Sequence, residues 1–287
     1  MANGDAAPTM ILQGEATRLT RESHGIAYSA ARDEFYVGQP VASSVVIFKG
    51  GVNGDAKPAR VLVGSKTRLH NPWGIGVDDR DHEISVADFT SNSILTYRSD
   101  AGGNASPIRV LSGPKTKLFK PVGVVIDPKR NLMIVTADGI YFYNRTAQGN
   151  TPPLGMIKGP RTGIISTWHA ALYKDLLFVS VSNVDWRPAY DYAGYGCRPG
   201  LTRPPAWVWE HTPGFIGVWK VTDRGDVPPR AVIRGQETML HDPGGITIDP
   251  KEGEVIVGDT SHNGIYTFSV PQFFELAGGS TGGNAGM

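Results

Sequence analysis

The amino-acid sequence predicts an all-β protein built from five repeats, and three observations support that prediction. The 287 residues include 36 glycines and 21 prolines, a content that is typical of chains with many turns. Apolar and polar residues alternate in short segments bounded by turn residues, as they do in half-buried strands. One sequence motif that begins with a Gly-Asp or Gly-Asn turn recurs through most of the chain.

The recurring motif runs from this turn through an apolar segment to the sequence Gly-x-x-Thr. It reads GDAKPARVLVGSKTRL from Gly54 and GNASPIRVLSGPKTKL from Gly103, and looser copies begin at Gly4, Gly149 and Gly225. The intervals between copies are 50, 49, 46 and 76 residues. Periods of about 40 to 50 residues with short alternating segments are typical of β-propellers. We therefore expect a single five-bladed β-propeller of four-stranded antiparallel blades.

Each repeat contains four segments with the length and alternation of strands. In the second repeat the outer strand PARVLV comes first, and PWGIGVDD, HEISVAD and SILTYRS follow it. The last repeat has no fourth strand after GIYTFSV, and the first outer strand, APTMILQG, has no three strands before it. We predict that the N-terminal strand, near 8–13, pairs with 265–270 and closes the last blade, because a closed ring has no long free edge.

The domain organisation follows from this count of blades. Residues 1–274 are assigned to the propeller, and the Gly-rich residues 275–287 to a flexible tail. The residues at 184–213 interrupt blade four, where about 30 residues replace the roughly five that join the same two strands in blade two. Long loops in compact domains are usually functional or disordered, and this one is too aromatic for disorder. We expect an ordered lid or docking loop.

The candidate binding residues lie in this loop and at the mouth of the central channel. Trp, Tyr and Arg are the residue types that most often dominate binding energy at interfaces. The position before the inner strand is Trp in blades two and four, where the indoles are either binding residues or a packed plug of the channel. The predicted binding residues are Trp73, Trp168, Trp186, Tyr190, Tyr192, Tyr195, Arg198, Trp207, Trp209 and His211.

Three histidines are candidate metal ligands at the same mouth. His24 and His169 stand near the start of an inner strand in blades one and four, outside the repeat pattern, and His262 lies in a loop of blade five. Neutral imidazoles suit Zn²⁺ and similar ions. The alternative is that they are interior histidines with satisfied hydrogen bonds. Asp88 and Asp259, each followed four residues later by Asn, are expected to tie loops together through backbone hydrogen bonds.

The inner-strand segment P-x-G-I-x-V-D, a strand ending in Asp, and then N-x-I resemble the NHL-repeat family. The matching positions are Pro72, Gly74, Ile75, Asp78, Asp88, Asn92 and Ile94 in blade two, and Pro243, Gly245, Ile246, Asp249, Asp259, Asn263 and Ile265 in blade five. The resemblance implies the propeller architecture and covers nearly the whole chain. It implies no particular activity, since one fold supports many functions.

Composition excludes two classes of partner. There are 28 Lys and Arg against 27 Asp and Glu, so the basic excess typical of nucleic-acid binding is missing. No apolar run approaches the ~18 residues that span a bilayer. We expect a periplasmic or secreted protein from which an export signal has been removed, since propellers of this type are often extracytoplasmic components of larger assemblies.

Two functions from different classes remain, and whether the chain is an enzyme stays open at this point. The first is a binding module that takes a protein partner or a small-molecule ligand on the channel-mouth face. The second is a metal-dependent lyase or hydrolase, similar to peptide-amidating and streptogramin lyases, with Zn²⁺ or Ca²⁺ at the histidines. We favour the first because no H-x-E-x-H spacing fixes a set of ligands.

Overall fold

A computed structural model describes residues 7–182 and 213–275, and it confirms an all-β, five-bladed β-propeller. Blade one contains β1 (His24–Ser29), β2 (Glu34–Gln39), β3 (Ser44–Lys49) and β4 (Arg60–Leu62). Blade two contains β5 (Pro72–Asp78), β6 (Glu83–Asp88), β7 (Ser93–Arg98) and β8 (Arg109–Ser112). Blade three contains β9 (Gly123–Asp127), β10 (Leu132–Thr136), β11 (Ile140–Asn144) and β12 (Gly155–Ile157).

The remaining blades differ from these three in one respect each. Blade four contains β13 (Ser166–Tyr173), β14 (Leu176–Ser182), β15 (Phe215–Lys220) and β16 (Ala231–Ile233), and residues 183–214 lie between β14 and β15 in the sequence. Blade five contains β17 (Pro243–Asp249), β18 (Glu254–Asp259) and β19 (Gly264–Ser269). A short helix, α1 (Gln272–Glu275), follows β19.

The recurring motif has a structural role, because it joins neighbouring repeats. In Gly-x-x-Thr, each Thr hydroxyl donates to the Gly carbonyl and caps a 3₁₀ turn; the five turns are Glu15–Thr17, Ser65–Thr67, Pro114–Thr116, Pro160–Thr162 and Gln236–Thr238. Four of these turns are bound by the Asp or Asn of the next repeat. Its side-chain oxygen accepts a backbone N–H at 2.7 Å in the pairs Ala16–Asp55, Lys66–Asn104, Lys115–Asn150 and Arg161–Asp226.

Gly64 shows why the 3₁₀ turn of this motif is preceded by glycine. Its φ of 127° lies in the region that side chains disfavour, and a Cβ there would lie 2.5 Å from Oδ1 of Asn104. The same motif also holds neighbouring blades together, because four parallel bridges each join an outer-strand residue to the next Gly turn. These bridges are Leu12–Gly54, Leu62–Gly103, Leu111–Gly149 and Ile157–Gly225.

The core lies between the faces of adjacent blades. Tyr36, Val45 and Ile47 of blade one pack against Ile75 and Val86 of blade two, and the later interfaces repeat this arrangement. Inner strands contact each other in the order β1, β5, β9, β13, β17. Each buried interface therefore uses apolar residues at alternate positions of two sheets, as the sequence pattern predicts.

The closure of the ring differs from the prediction in detail. Blade five has three strands, and among residues 7–182 and 213–275 no fourth strand pairs with β19. The predicted closing strand instead contacts blade one, where Gly54 N–H donates to the carbonyl of Ile11 at 2.6 Å and Gln13 N–H donates to Gly54 at 3.1 Å. The predicted N-terminal strand thus forms only an isolated bridge, from Leu12 to Gly54, at the outer-strand position before blade one, and it leaves the edge of β19 free within the described chain.

Within the described residues, no helix is both long enough and apolar enough to cross a membrane.

Candidate functional site

A stack of aromatic rings fills the mouth of the central channel. The rings of His24 and Trp73 are parallel, with centroids 4.1 Å apart, and Phe89 stacks on Trp73 at 4.6 Å. Trp168 lies 5.4 Å from Trp73 and 6.1 Å from His24, again nearly parallel to both. The structure therefore brings together three of the predicted site residues, and it adds Phe89, whose position after Asp88 the repeat pattern did not single out.

Buried polar groups hold both indoles in place. Trp73 Nε1 donates to Oδ1 of Asn71 at 2.6 Å, and Trp168 Nε1 donates to Oδ1 of Asp242 at 3.1 Å. Thr260 donates to the other oxygen of Asp242 at 2.7 Å. Because indole N–H groups need a partner when they are buried, these bonds fix the stack and support the packing role that the sequence left open for the two tryptophans.

His24 and His169 border the same space, and each is half-buried. Burial lowers the pKa of His24 to about 4. The pKa of His169 is also lowered to about 4, mainly by burial and in smaller part by the charge of His24. Both imidazoles are therefore neutral at physiological pH, because burial disfavours the charged form.

These two histidines predict a specific acid sensitivity. Their pKa values are lower in the folded chain than in the unfolded chain. The free energy of unfolding is therefore unaffected by these two groups above about pH 6.5, and it falls as the pH drops towards 4. We expect His24→Phe, which preserves a stacked neutral ring, to reduce the loss of unfolding free energy between pH 7 and pH 5, measured by urea titration. Exposed His82 is the matched control, and His82→Asn should leave the loss unchanged.

A cavity of about 890 Å³ runs from this cluster out between blades one and five. We call its outer part the opening, and define it by Ile26, Tyr28, Thr247, Ile256 and Ile265, which line it from the two sides. None of the described residues around the whole cavity is Lys, Arg, Asp or Glu. The surface is thus uncharged and largely apolar, with hydroxyl and imidazole groups as its polar side chains.

The blade-five side of the opening has the chemistry of a blade interface. Strand register places Ile265 in the position that the third strand of every blade turns towards its next neighbour. The equivalent residues, Val45, Ile94, Ile140 and Ile216, are at most 1% exposed, whereas Ile265 is 79% exposed. Ile265 therefore has the character of a buried interface residue but has no neighbouring blade in the described chain.

The blade-one side shows the same relation. Ile26 pairs with Val37 as Ile75 pairs with Val86, so the two isoleucines are equivalent. Ile75 is 7% exposed because it packs on the preceding blade, whereas Ile26 is 71% exposed. Soluble proteins seldom expose contiguous apolar surface without a partner. The sequence does not single out either isoleucine as exposed, since their local pattern is that of any blade face.

His262 does not join the other two predicted metal ligands in the channel. Its ring packs edge-on against His241, with centroids 4.4 Å apart, and its Nδ1 lies 3.6 Å from Oδ1 of Asp259. Among the residues that the structure describes, no group of three or more His, Cys, Asp or Glu is placed to hold a metal. The expected Zn²⁺ or Ca²⁺ has no ligand set there and stays a prediction.

The predicted loop ties at Asp88 and Asp259 are present. Oδ2 of Asp88 accepts the backbone N–H of His70 at 2.8 Å and of Asn71 at 2.9 Å. Oδ2 of Asp259 makes the equivalent bonds to residues 241 and 242 at 2.8 Å. These carboxylates hold the loops before the inner strands against those after the second strands, which places both sets of loops at the channel mouth.

The aromatic loop predicted at 184–213 lies almost wholly outside the described residues. The same is true of the predicted binding residues within it, Trp186, Tyr190, Tyr192, Tyr195, Arg198, Trp207, Trp209 and His211, and of the tail from 276 onwards. Their roles stay predictions.

Comparisons with known proteins identify the fold. No family model matches the chain, and no curated protein matches it, so the NHL resemblance stays a prediction. Among solved structures, a chain of a nidogen/laminin complex is similar with a TM-score of 0.54 and 17% identity, covering 88% of this chain and 81% of that one. Kuenenia stuttgartiensis hydrazine synthase is similar with a TM-score of 0.54 and 10% identity. This second match covers 88% of the present chain and 58% of that one. Both are β-propeller proteins.

Proposed function

We propose that this protein is a non-catalytic β-propeller that binds a protein partner, and that the opening between blades one and five is the binding surface. One observation carries the proposal. Ile265 is 79% exposed at a position that is at most 1% exposed in the other four blades. An apolar interface face that is left uncovered indicates a partner that covers it.

The chemistry of the opening defines the kind of association. Its side chains are aliphatic, aromatic or hydroxyl-bearing, and none of those that the structure describes carries a formal charge. Burial of apolar surface would therefore provide most of the binding free energy. We expect the affinity to change little with ionic strength, because salt screens charge pairs and not apolar contacts. The nidogen/laminin neighbour, solved in a complex, is consistent with a partner-binding role.

The lyase hypothesis has less support. His24 and His169 are close to the channel, but the described residues supply no third metal ligand beside them. The indoles of Trp73 and Trp168 are packed against each other and hydrogen-bonded, which supports a packing role for them. An extracytoplasmic location stays a prediction.

A photo-cross-linking residue at position 265 tests the proposed function. Placed there in the source cells, benzoyl-phenylalanine should form an adduct with another polypeptide, whereas the same residue at exposed Leu154 in blade three should not. Adding Ile26→Asp places a charge across the opening and should remove the adduct. Since Ile26 is exposed, this change should leave the melting temperature within a few degrees of that of the parent protein. Equal adduct yields at 265 and 154 would contradict the proposal.

A further inference from the structure

The opening lies between β1 of blade one and the strands of blade five, and the N-terminal strand contacts blade one. Leu12 bridges to Gly54 in the way that Leu62 bridges to Gly103, so the N-terminal strand stands where an outer strand precedes a blade. An outer strand normally pairs with the third strand of its own blade, as β4 pairs with β3. Among the described residues, the N-terminal strand has no such partner. The position before blade one therefore has an outer strand without its three inner strands.

Ion pairs within the blades show which outer strand suits which blade. In blades one and two the second strand begins with Glu, and the outer strand supplies an Arg that binds it. These pairs are Glu34–Arg60 and Glu83–Arg109. In blades three and four the second strand begins with Leu132 and Leu176, and the outer strand carries Gly155 and Ala231 at the same place. In all four complete blades, the outer strand therefore carries Arg where the second strand begins with Glu, and a small uncharged residue where the second strand begins with Leu.

Blade five and the N-terminal strand do not match by this rule. The second strand of blade five begins with Glu254, which calls for an Arg on its outer strand. The N-terminal strand carries Met10 at the position of Arg60 in the repeat. Met10 is uncharged, as Gly155 and Ala231 are in the blades whose second strand begins with Leu. The fourth strand that fits β19 and the blade that fits the N-terminal strand are both missing from the described residues.

A loop contact gives the same indication. Oδ1 of Asn92 in blade two accepts the backbone N–H of Lys120 in blade three at 2.7 Å. Asn263 is its equivalent in blade five and has the same φ of 50°. Within the described chain, Asn263 makes no such bond to a following blade. Asn263 thus shares the backbone conformation of the residue that binds the next repeat in blade two.

We infer that the opening is a vacant blade position that binds one repeat-length β-element of a partner polypeptide. The first strand of this element adds to the free edge of β19 and carries a basic residue opposite Glu254. Its next three strands pack between the faces of Ile265 and Ile26 and take residues 8–13 as their fourth strand. This inference rests on the proposed function and specifies its partner as a β-sheet element, recognised by main-chain hydrogen bonds and aliphatic packing.

The chain itself supplies the probe for this inference. A copy of residues 103–148 placed directly before Gly4 adds one repeat in register, because Gln148 naturally precedes the equivalent Gly149. The copy brings β8, with Arg109 for Glu254, and then β9 to β11, in which Leu132 would face Met10. If the opening is a vacant blade position, the extended chain should form a ring of six blades.

Two measurements read the result in a Cys197→Ser background that carries Ile265→Cys. In the parent protein the thiol at 265 should react rapidly with a maleimide. In the extended protein it should react about tenfold more slowly, because the added repeat covers it. The melting temperature should rise by about 5 °C or more. A matched extension with Leu132→Glu and Arg109→Met in the added copy removes both complementary contacts and should give a smaller rise and weaker protection.

Two results would overturn the inference. Slow reaction of the thiol in the parent protein would show that the chain closes its own opening in solution. A thiol that reacts as fast in the extended protein as in the parent would show that a repeat does not fit there. The proposed function has a separate test. If the added repeat protects the thiol but no cellular adduct forms at 265, the opening would still fit a repeat, and the proposal of a natural protein partner would be wrong.

Discussion

Trp73→Ala is expected to lower the free energy of unfolding by about 3–5 kcal/mol, the cost of removing a large aromatic side chain from a closed core. Trp73 is fully enclosed and stacks on both His24 and Phe89. Its loss would also leave Asn71 without the indole N–H that it accepts at 2.6 Å. Urea denaturation at pH 7 measures the effect, and circular dichroism checks that the variant remains folded.

Trp168 provides the matched comparison for this variant. It belongs to the same cluster, but it lies on the wall of the cavity. Removing Trp168 enlarges a space that already exists, whereas removing Trp73 creates an enclosed void, and the cost of truncation depends on that difference. We expect Trp168→Ala to cost clearly less than Trp73→Ala. A larger loss for Trp168→Ala would show that the stack depends on the cavity wall and not on Trp73 at its centre.

Much of the architecture was predictable because the same pattern of strands and turns occurs in several repeats of the sequence. The alternation in HEISVAD and SILTYRS fixes which residues of a blade face a neighbour, and the Gly-Asp turn fixes where the next repeat begins. The channel-mouth residues followed from the same alignment. His24, Trp73 and Trp168 share one position in the repeat, and the structure stacks them together.

The opening was not predictable from the same patterns. Ile265 and Ile94 stand in nearly identical local sequences, yet one is 79% exposed and the other 1%. Local alternation indicates that a face is apolar, but it does not indicate whether a neighbour covers that face. That depends on the angle between successive blades, to which every interface contributes. The partner of Asp242 was equally hidden, because the bond from Trp168 to Asp242 joins residues 74 positions apart.

Glu34→Gln is expected to lower the free energy of unfolding by about 3 kcal/mol, at the lower end of the cost of breaking a buried ion pair. Glu34 is fully buried and accepts hydrogen bonds from Nη1 and Nη2 of Arg60, both at 2.8 Å, and from Nε of Arg32 at 2.9 Å. Lys49 lies 2.9 Å from its other oxygen. A neutral amide cannot accept this set of bonds and would leave the partly buried Arg60 without its counter-charge.

The pH dependence distinguishes this ion pair from simple packing. The hydrogen bonds from Arg60 hold the pKa of Glu34 well below its usual range, although burial alone would raise it. Since the pKa is lower in the folded chain, the pair stabilises fully above the unfolded value of about 4.5, and its contribution decreases progressively as the pH falls from there towards the much lower folded value. The difference between wild type and Glu34→Gln should therefore be largest at pH 7 and should shrink as the pH is lowered to 3.

Glu83→Gln is the control in the neighbouring blade. Glu83 also binds an outer-strand arginine, Arg109, but its side chain is 13% exposed and it lacks the second and third cations that surround Glu34. Solvent weakens an ion pair of this kind, so Glu83→Gln should cost less than Glu34→Gln. If the loss in Glu34→Gln stayed constant from pH 7 to pH 3, the carboxylate charge would not be its cause. The rule that matches outer strands to blades through these pairs would then lose its physical basis.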